Sequence, residues 1–327
     1  MRGSRAIFAA TLCVALAANL RGDGTELESA MRAFNKGEYG RTVEILKSVS
    51  AREPGNGDIY LWLAKTYLEM NQYDEAVSSA EKAVAINPRS SVYHQWLGEA
   101  YGQKADHASM LSAYPLARKT QKEFQTAVDL DEKNFDAAQD LIEYDCTAPG
   151  IVGGGEDKAQ PLIRKLMSLD AAEGHYGTAI CHAQKKDYAA ADAEFSKALQ
   201  NKLKSADRIY DIGDYFLQRA QAEKLVAVAD AGESLAPGDP RGKFYRAAGW
   251  ILRGERLPEA EKLLRDYLQA APVRSSYPKP WQAHYWLGRL CEAQKNPESA
   301  KGEYQAALKL NAKYKAAQEA LKKLGGL

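Results

Sequence analysis

The chain has no surplus of charge of either sign. Lys and Arg together number 44 against 43 for Asp and Glu, a formal net charge of +1. A protein held to nucleic acid by bulk electrostatics would show a basic footprint, and one drawn to an anionic membrane would carry a strong positive field; neither is here. Cysteine is scarce, with 4 in 327 residues, and supplies no disulfide framework. Proline and glycine, at 12 and 25, are ordinary in amount and argue against long disordered segments. With 45% hydrophobic residues, the chain is long enough for a large buried core.

An apolar run unbroken by charge, Ala6 to Ala18, follows Arg2 and Arg5 at the N-terminus. Ala15-Leu16-Ala17 then offers a small-x-small cleavage site ahead of Asn19, Arg21 and Asp23. This pattern predicts a secretory signal peptide over 1–22. About 13 apolar residues are too few to span a bilayer comfortably, so a membrane anchor fits less well and no membrane span is expected in the mature chain. Cys13 lies inside the run without a lipidation motif around it. Its removal leaves Cys146, Cys181 and Cys291, which cannot all pair within the chain. A bridge between Cys146 and Cys181 is conceivable, but the expectation is that all three pack as small buried hydrophobes.

The stretch Gly57 to Ser90 organises the rest. Tyr60, Leu63, Ala64 and Tyr67 recur at the helical period and give a first helix one apolar face. Ala64, Ala76 and Ala83 are small enough to let a second helix approach closely, and Pro88 ends the unit. At 34 residues, with these types at repeat positions 4, 7, 8, 11, 20, 27 and 32, the stretch resembles a tetratricopeptide repeat. One such hairpin cannot bury its own face and must stack on neighbours.

The compact residue of the second helix serves as a ruler. It falls at Thr42, Ala76, Thr120, Ala159, Ala191, Leu225, Ala260 and Ala300, spaced by 34, 44, 39, 32, 34, 35 and 40 residues. The resemblance therefore implies repeats over about 23–56, 57–90, 91–134, 135–171, 172–205, 206–240, 241–275 and 281–313, within a solenoid over 23–324. A last amphipathic helix, 314–324, fits the capping helix that covers the final open face. The implied fold is all-α: a right-handed α-solenoid, or superhelix, of about eight such hairpins. Two departures stand out. About ten extra residues between Gln103 and Pro115 predict an enlarged turn in the third repeat, and CTAPGIVGGGEDKA, beginning at Cys146, interrupts the fourth.

The glycine run of that second insertion lacks the Gly-Lys-Ser/Thr ending and preceding strand of a phosphate-binding loop, and Glu156 and Asp157 would repel phosphate. It reads as a flexible loop with an acidic residue at the next helix start. His94, His175 and His284 all fall at repeat position 4 and His182 at position 11, which are packing positions rather than a metal-ligand pattern. Carboxylate pairs such as Asp129-Asp131 and Glu143-Asp145 read as solvated helix faces. No Ser/His/Asp or Cys/His grouping can be picked out, so neither an enzyme nor a cofactor is expected.

In proteins this chain resembles, positions 2, 5, 9, 12 and 13 of each first helix line a concave groove. Position 5 here gives Leu61, Gln95, Tyr176, Tyr210, Tyr245 and Tyr285, four tyrosines at one place in four successive repeats. Tyrosine offers an apolar face with a hydroxyl, which suits recognition, although in the family it also fills space between hairpins. Position 9 and its surroundings add Lys65, Glu99, Asp214, Arg253 and Arg289, a mixture of signs. Lys and Asn at positions 5 and 9, which clamp a peptide carboxylate in some relatives, are absent. Trp62, Trp96 and Trp286 recur at position 6 as inter-repeat packing. The expectation is an exported, non-catalytic scaffold holding a protein or peptide segment in the groove. The tyrosines would act as anchors, Asp214, Arg253 and Arg289 would set polarity, and Leu61 and Lys65 would line the same face. A component of an envelope or secretion assembly that stacks through its edges is the alternative, and a ligand site at the glycine loop a third.

Overall fold

A computed structural model describes residues 26–325. The expected leader, 1–22, lies outside the described residues. The chain divides after Arg164 into two compact units, and among the described residues every regular element is helical.

In the first unit, α1 covers 26–35 and is followed by α2 (Tyr39–Arg52), α3 (Gly57–Glu69), α4 (Tyr73–Ile86), α5 (Ser91–Asp106), α6 (Met110–Leu130) and α7 (Phe135–Thr147). A 3-10 turn over Gly150–Val152 then leads into α8 (Glu156–Leu169), whose last turn belongs to the second unit. There follow α9 (Ala171–Gln184), α10 (Tyr188–Gln200), α11 (Ala206–Gln218), α12 (Ala222–Leu235), α13 (Pro240–Arg253), α14 (Leu257–Ala270), α15 (Pro280–Ala293), α16 (Pro297–Leu310) and α17 (Lys315–Gly325). In the first unit each helix from α2 to α7 packs on the next, and in the second α9 packs on α10 and each helix from α11 to α17 on the next; α3 also meets α5 as α13 meets α15. This is stacking of the α-solenoid class.

The first helices start where a short polar side chain caps the open amides. Asn56, Ser90, Asn134, Asp170, Ser205 and Asp239 each accept a backbone N–H of α3, α5, α7, α9, α11 and α13. Five first helices, α1, α3, α9, α11 and α15, end in a shared turn. Gly37, Asn71, Lys186, Ala220 and Lys295 all have positive φ, between 52° and 76°. At each, the next residue's amide reaches back to the carbonyl five residues earlier, as in Gln72 to Tyr67 and Gln221 to Phe216. That double closure satisfies carbonyls a helix end leaves open.

All eight ruler residues are buried, from 0% exposure at Thr42, Ala76, Ala159, Ala191, Leu225, Ala260 and Ala300 to 3% at Thr120. Close approach also demands glycine in places: a Cβ on Gly288 would come within 2.4 Å of the Tyr304 ring, which is fully buried.

Four sequence expectations need correction. The extra residues of the third repeat do not enlarge its turn; they lengthen both helices, so that α5 runs 16 residues and α6 runs 21 with three residues between them. Continuing two helices that already pack keeps their backbone amides paired, which a long turn would not. The glycine loop is tied down on both sides. Tyr144 Oη donates to the Ala117 and Val152 carbonyls, both at 2.8 Å, and the Gly155 amide donates to the Asp145 carbonyl at 2.7 Å. Gly153 and Gly155 take φ of 107° and 150°, and a Cβ on Gly154 would collide with the Ala148 carbonyl, so the run is required by backbone path. Cys146 and Cys181 are both disulfide-bonded rather than free core thiols, whereas Cys291 is free. Asp145, expected on a solvated face, is 4% exposed.

Candidate protein-interaction surfaces

In the second unit the tyrosines of position 5 lie mostly inside the stack. Tyr176, Tyr210 and Tyr245 are 7%, 1% and 1% exposed, and only Tyr285 is half-buried. Tyr210 and Tyr245 stack at 5.6 Å with their planes 12° apart, and Tyr176 meets Phe195 edge-on. The Tyr210 hydroxyl packs against Gly232, where a Cβ would sit 2.4 Å away. The apolar faces expected to recognise a partner are thus spent on inter-hairpin packing, because ring stacking and burial stabilise the stack itself.

What these residues give the surface is a set of fixed polar groups. Tyr245 Oη donates to Asp214 Oδ1 at 2.8 Å, Tyr176 Oη to Asp211 Oδ2 at 3.4 Å, and Arg289 donates to Tyr285 Oη at 3.3 Å. Asp211 and Asp214 are exposed. Asp214 is nevertheless recessed: crowding by protein lifts its carboxyl above the ordinary range, against the lowering pull of the Tyr245 hydrogen bond and of Lys279 and Arg241. Beneath this row lies Arg241, buried to 3% exposure on α13. Its guanidinium bonds Asp207 at 2.6 Å and Asp239 at 2.7 Å, and lies over the rings of Tyr210 and Tyr277 at 4.4 and 4.5 Å.

The remaining expected groove residues differ in their surroundings. Arg253 is exposed and pairs with Glu255 at 2.9 Å; Arg289 is half-buried and pairs with Glu292 at 3.4 Å. In the first unit Leu61 is buried at 7% exposure and offers no face. Lys65 lies between two rings, 4.8 Å from the centre of Trp62 and 4.2 Å from that of Trp96, so these tryptophans hold a cation as well as packing repeats.

Two arrangements escaped the sequence reading. His94, His175 and His284 each bring Nδ1 within 2.6, 2.6 and 2.7 Å of a glutamate on the second helix of the same hairpin, Glu123, Glu194 and Glu303. In the two uninterrupted hairpins the spacing is 19 residues, a signal legible in principle. The other is a recess of about 520 Å³ in the first unit, between α5, α6, α7 and the glycine loop. Glu99, Asp106, Asp140 and Glu143 stand on its wall. Crowding by protein raises the carboxyls of Glu99, Asp140 and Glu143; nearby Glu99 raises the other two further, and Asp106 does the same to Glu99. Among the described residues no ion pair reaches Glu99, Asp140 or Glu143; Gln103 and Gln95 donate to the first two at 2.7 and 2.9 Å.

Residues 33–100 match a family model of the tetratricopeptide repeat, and so do residues 252–320. In these two stretches the chain carries tetratricopeptide repeats. Such repeats generally act as protein-interaction scaffolds. Over 78 residues, 24% of its length, the chain is 27% identical to the rhomboid protease GluP of Bacillus subtilis strain 168, of which it spans 15%. Similar solved structures include a tetratricopeptide repeat protein of Parabacteroides merdae, 13% identical with a TM-score of 0.42, covering 93% of this chain and 99% of that one. A thermophilic TPR protein of Thermus thermophilus is 18% identical with a TM-score of 0.47, over 57% of this chain and 94% of that one. No helix among the described residues is long and apolar enough to cross a membrane.

Proposed function

We propose that the protein is a non-catalytic scaffold that holds a segment of a partner protein against the first-helix face of its repeats, and that it works outside the cytoplasm, in the periplasm of a Gram-negative source and otherwise secreted. The observation that carries the scaffold reading is the Tyr245–Asp214 pair at 2.8 Å. A buried aromatic fixes an exposed carboxylate on the neighbouring hairpin, and the same device recurs at Tyr176 and Asp211. Polar groups locked in place before a ligand arrives lose little entropy on binding, which is what a recognition surface needs. Arg253 and Arg289 supply the opposite sign along the same row.

Export is supported by the charged, apolar and small-residue order of 1–22 and by the disulfide state of Cys146 and Cys181, since structural disulfides persist in oxidising compartments. The scaffold reading is tested by affinity capture from the source envelope with the mature protein and with Asp214→Asn combined with Arg289→Gln. A partner held by the first and lost by the second supports it; a partner held equally by both moves binding to the edges or insertions. N-terminal sequencing of protein from the envelope fraction tests export. A chain retained in the cytosol with Met1 intact defeats it.

A further inference from the structure

The two segments that break the repeat pattern, 103–115 and 149–158, are far apart in sequence yet line one recess of the first unit, through Gln103, Ala105 and Asp106 of the first and Pro149 and Val152 of the second. The 3-10 turn of the glycine loop packs on α6. Tyr144 ties the two by donating to Ala117 on α6 and to Val152 on the loop, and Gly153 lies against Gln121. Ala117 and Gln121 share a helix face with Tyr114 and Met110, three to four residues apart at each step. That face ends in open solvent: Met110 and Leu111 are each 90% exposed, Tyr114 40%, and Ile151 on the loop 73%. Pro115, inside α6, has no N–H to give to the Leu111 carbonyl. The extension of α6 is therefore a ridge of large apolar side chains, an arrangement that marks an interaction site when the residues lie side by side.

Ala117 of α6, one turn beyond Tyr114, and Pro149 and Val152 of the glycine loop line the carboxylate recess together with Glu99 of α5 and Asp140 and Glu143 of α7. An apolar ridge thus borders a wall of like charge that no ion pair of the described residues relieves. A ligand that inserted apolar side chains along the ridge and placed cations in the recess would satisfy both.

We propose that this insertion-built surface of the first unit binds a basic amphipathic segment of a partner protein, with apolar side chains on Met110, Leu111, Tyr114 and Ile151 and Lys or Arg against Glu99, Asp140 and Glu143. The proposal rests on the scaffold reading and gives its partner a chemistry. An anionic lipid surface is the poorer occupant, because the wall of carboxylates beside the ridge would repel it. Charge complementarity here sets specificity and adds salt dependence.

The test is fluorescence anisotropy with the mature protein and a labelled peptide of about eighteen residues carrying leucine and lysine at helical spacing. A leucine–glutamate peptide of the same pattern is the control. The leucine–lysine peptide should bind and weaken with added salt, and the control should not bind. Met110→Ser with Leu111→Ser, which removes only exposed side chains, and Glu143→Gln should each weaken binding about ten-fold, the loss of one hot contact. Glu298→Gln, at an exposed acid in the first turn of α16, should leave it unchanged. Binding indifferent to the ridge and to Glu143, equal binding of the control, or a ridge-dependent preference for phosphatidylserine vesicles over the peptide overturns the proposal. So does a ridge that serves only to pair two copies of this chain, seen as a dimer lost in the serine variant. If the envelope partner is lost with Asp214→Asn and Arg289→Gln but retained by the ridge and Glu143 variants, this inference fails while the scaffold reading stands.

Discussion

The hydroxyl of Tyr245, whose ring is 1% exposed, donates across the hairpin boundary to Asp214, which is exposed. Ring and hydroxyl do different work, and two substitutions separate them. Tyr245→Ala removes a buried aromatic and leaves a cavity, at about 3–5 kcal/mol. Replacing the whole tyrosine file by alanine therefore tests folding before it tests binding. Tyr245→Phe keeps the stack with Tyr210 and removes one hydrogen bond, at about 1 kcal/mol. Because that bond lowers the Asp214 carboxyl, the Phe variant should move the Asp214 titration upward, readable from its carboxyl carbon by NMR. An Asp214 titration that does not move would show that the hydroxyl does not hold it.

The shared turn gives a second prediction. Ala220 is exposed and has φ of 52°, where a side chain is strained by about 1 kcal/mol and glycine is not. Ala220→Gly should raise stability by up to about 1 kcal/mol, seen as a higher denaturant midpoint at unchanged slope. A lower midpoint would mean that unfolded-state entropy outweighs the relief of strain.

The stack was legible because small residues at second-helix contacts leave a spaced trace, and all eight ruler residues are buried. The tyrosine file was legible as a pattern, but its burial was not, since one residue type serves both packing and recognition at that position. The insertions were visible as extra length. Whether extra length becomes turn or helix depends on whether neighbours can bury it, and α5 and α6 already packed on each other. The carboxylate wall was hidden for a different reason. Glu99 stands more than forty residues from Asp140 and Glu143, and only stacking of α5 near α7 brings them together.

Asp145 yields a prediction about pH. It is 4% exposed, its Oδ1 has no hydrogen-bond partner among the described residues, and burial, with Asp157 adding to it and Lys158 opposing, pushes its carboxyl up to about 6. A carboxyl raised in the folded state favours folding fully below its unfolded value near 4, and that contribution is lost as pH rises through about 6. Asp145→Asn, neutral at every pH, should match the parent near pH 4 and exceed it by about 2 kcal/mol at pH 7.5. The comparison needs only denaturant melts of both proteins at the two pH values. Equal stability at pH 7.5 would mean that water or Lys158 already relieves the charge.

Arg241 gives the sharpest stability test of the second unit. Its guanidinium is buried between the Tyr210 and Tyr277 rings and bonds two carboxylates, of which Asp239 is almost as buried as the arginine itself. Burial works against the charge, but the hydrogen bonds to Asp239 and Asp207 outweigh it and hold the guanidinium above its ordinary value, so it stays protonated at any working pH. Arg241→Met keeps most of the apolar contact while stranding Asp239 without its cation, and should cost about 3–5 kcal/mol. Combining it with Asp239→Asn removes the stranded charge and should recover part of that loss. Arg241→Lys retains charge but not the planar fork that bonds Asp239 while lying over two rings, so it should fall between the two. If Arg241→Met were as stable as the parent, the cluster would be a net cost of desolvation retained for something other than stability, and the polar row that Tyr210 and Tyr245 support would be the place to look for it.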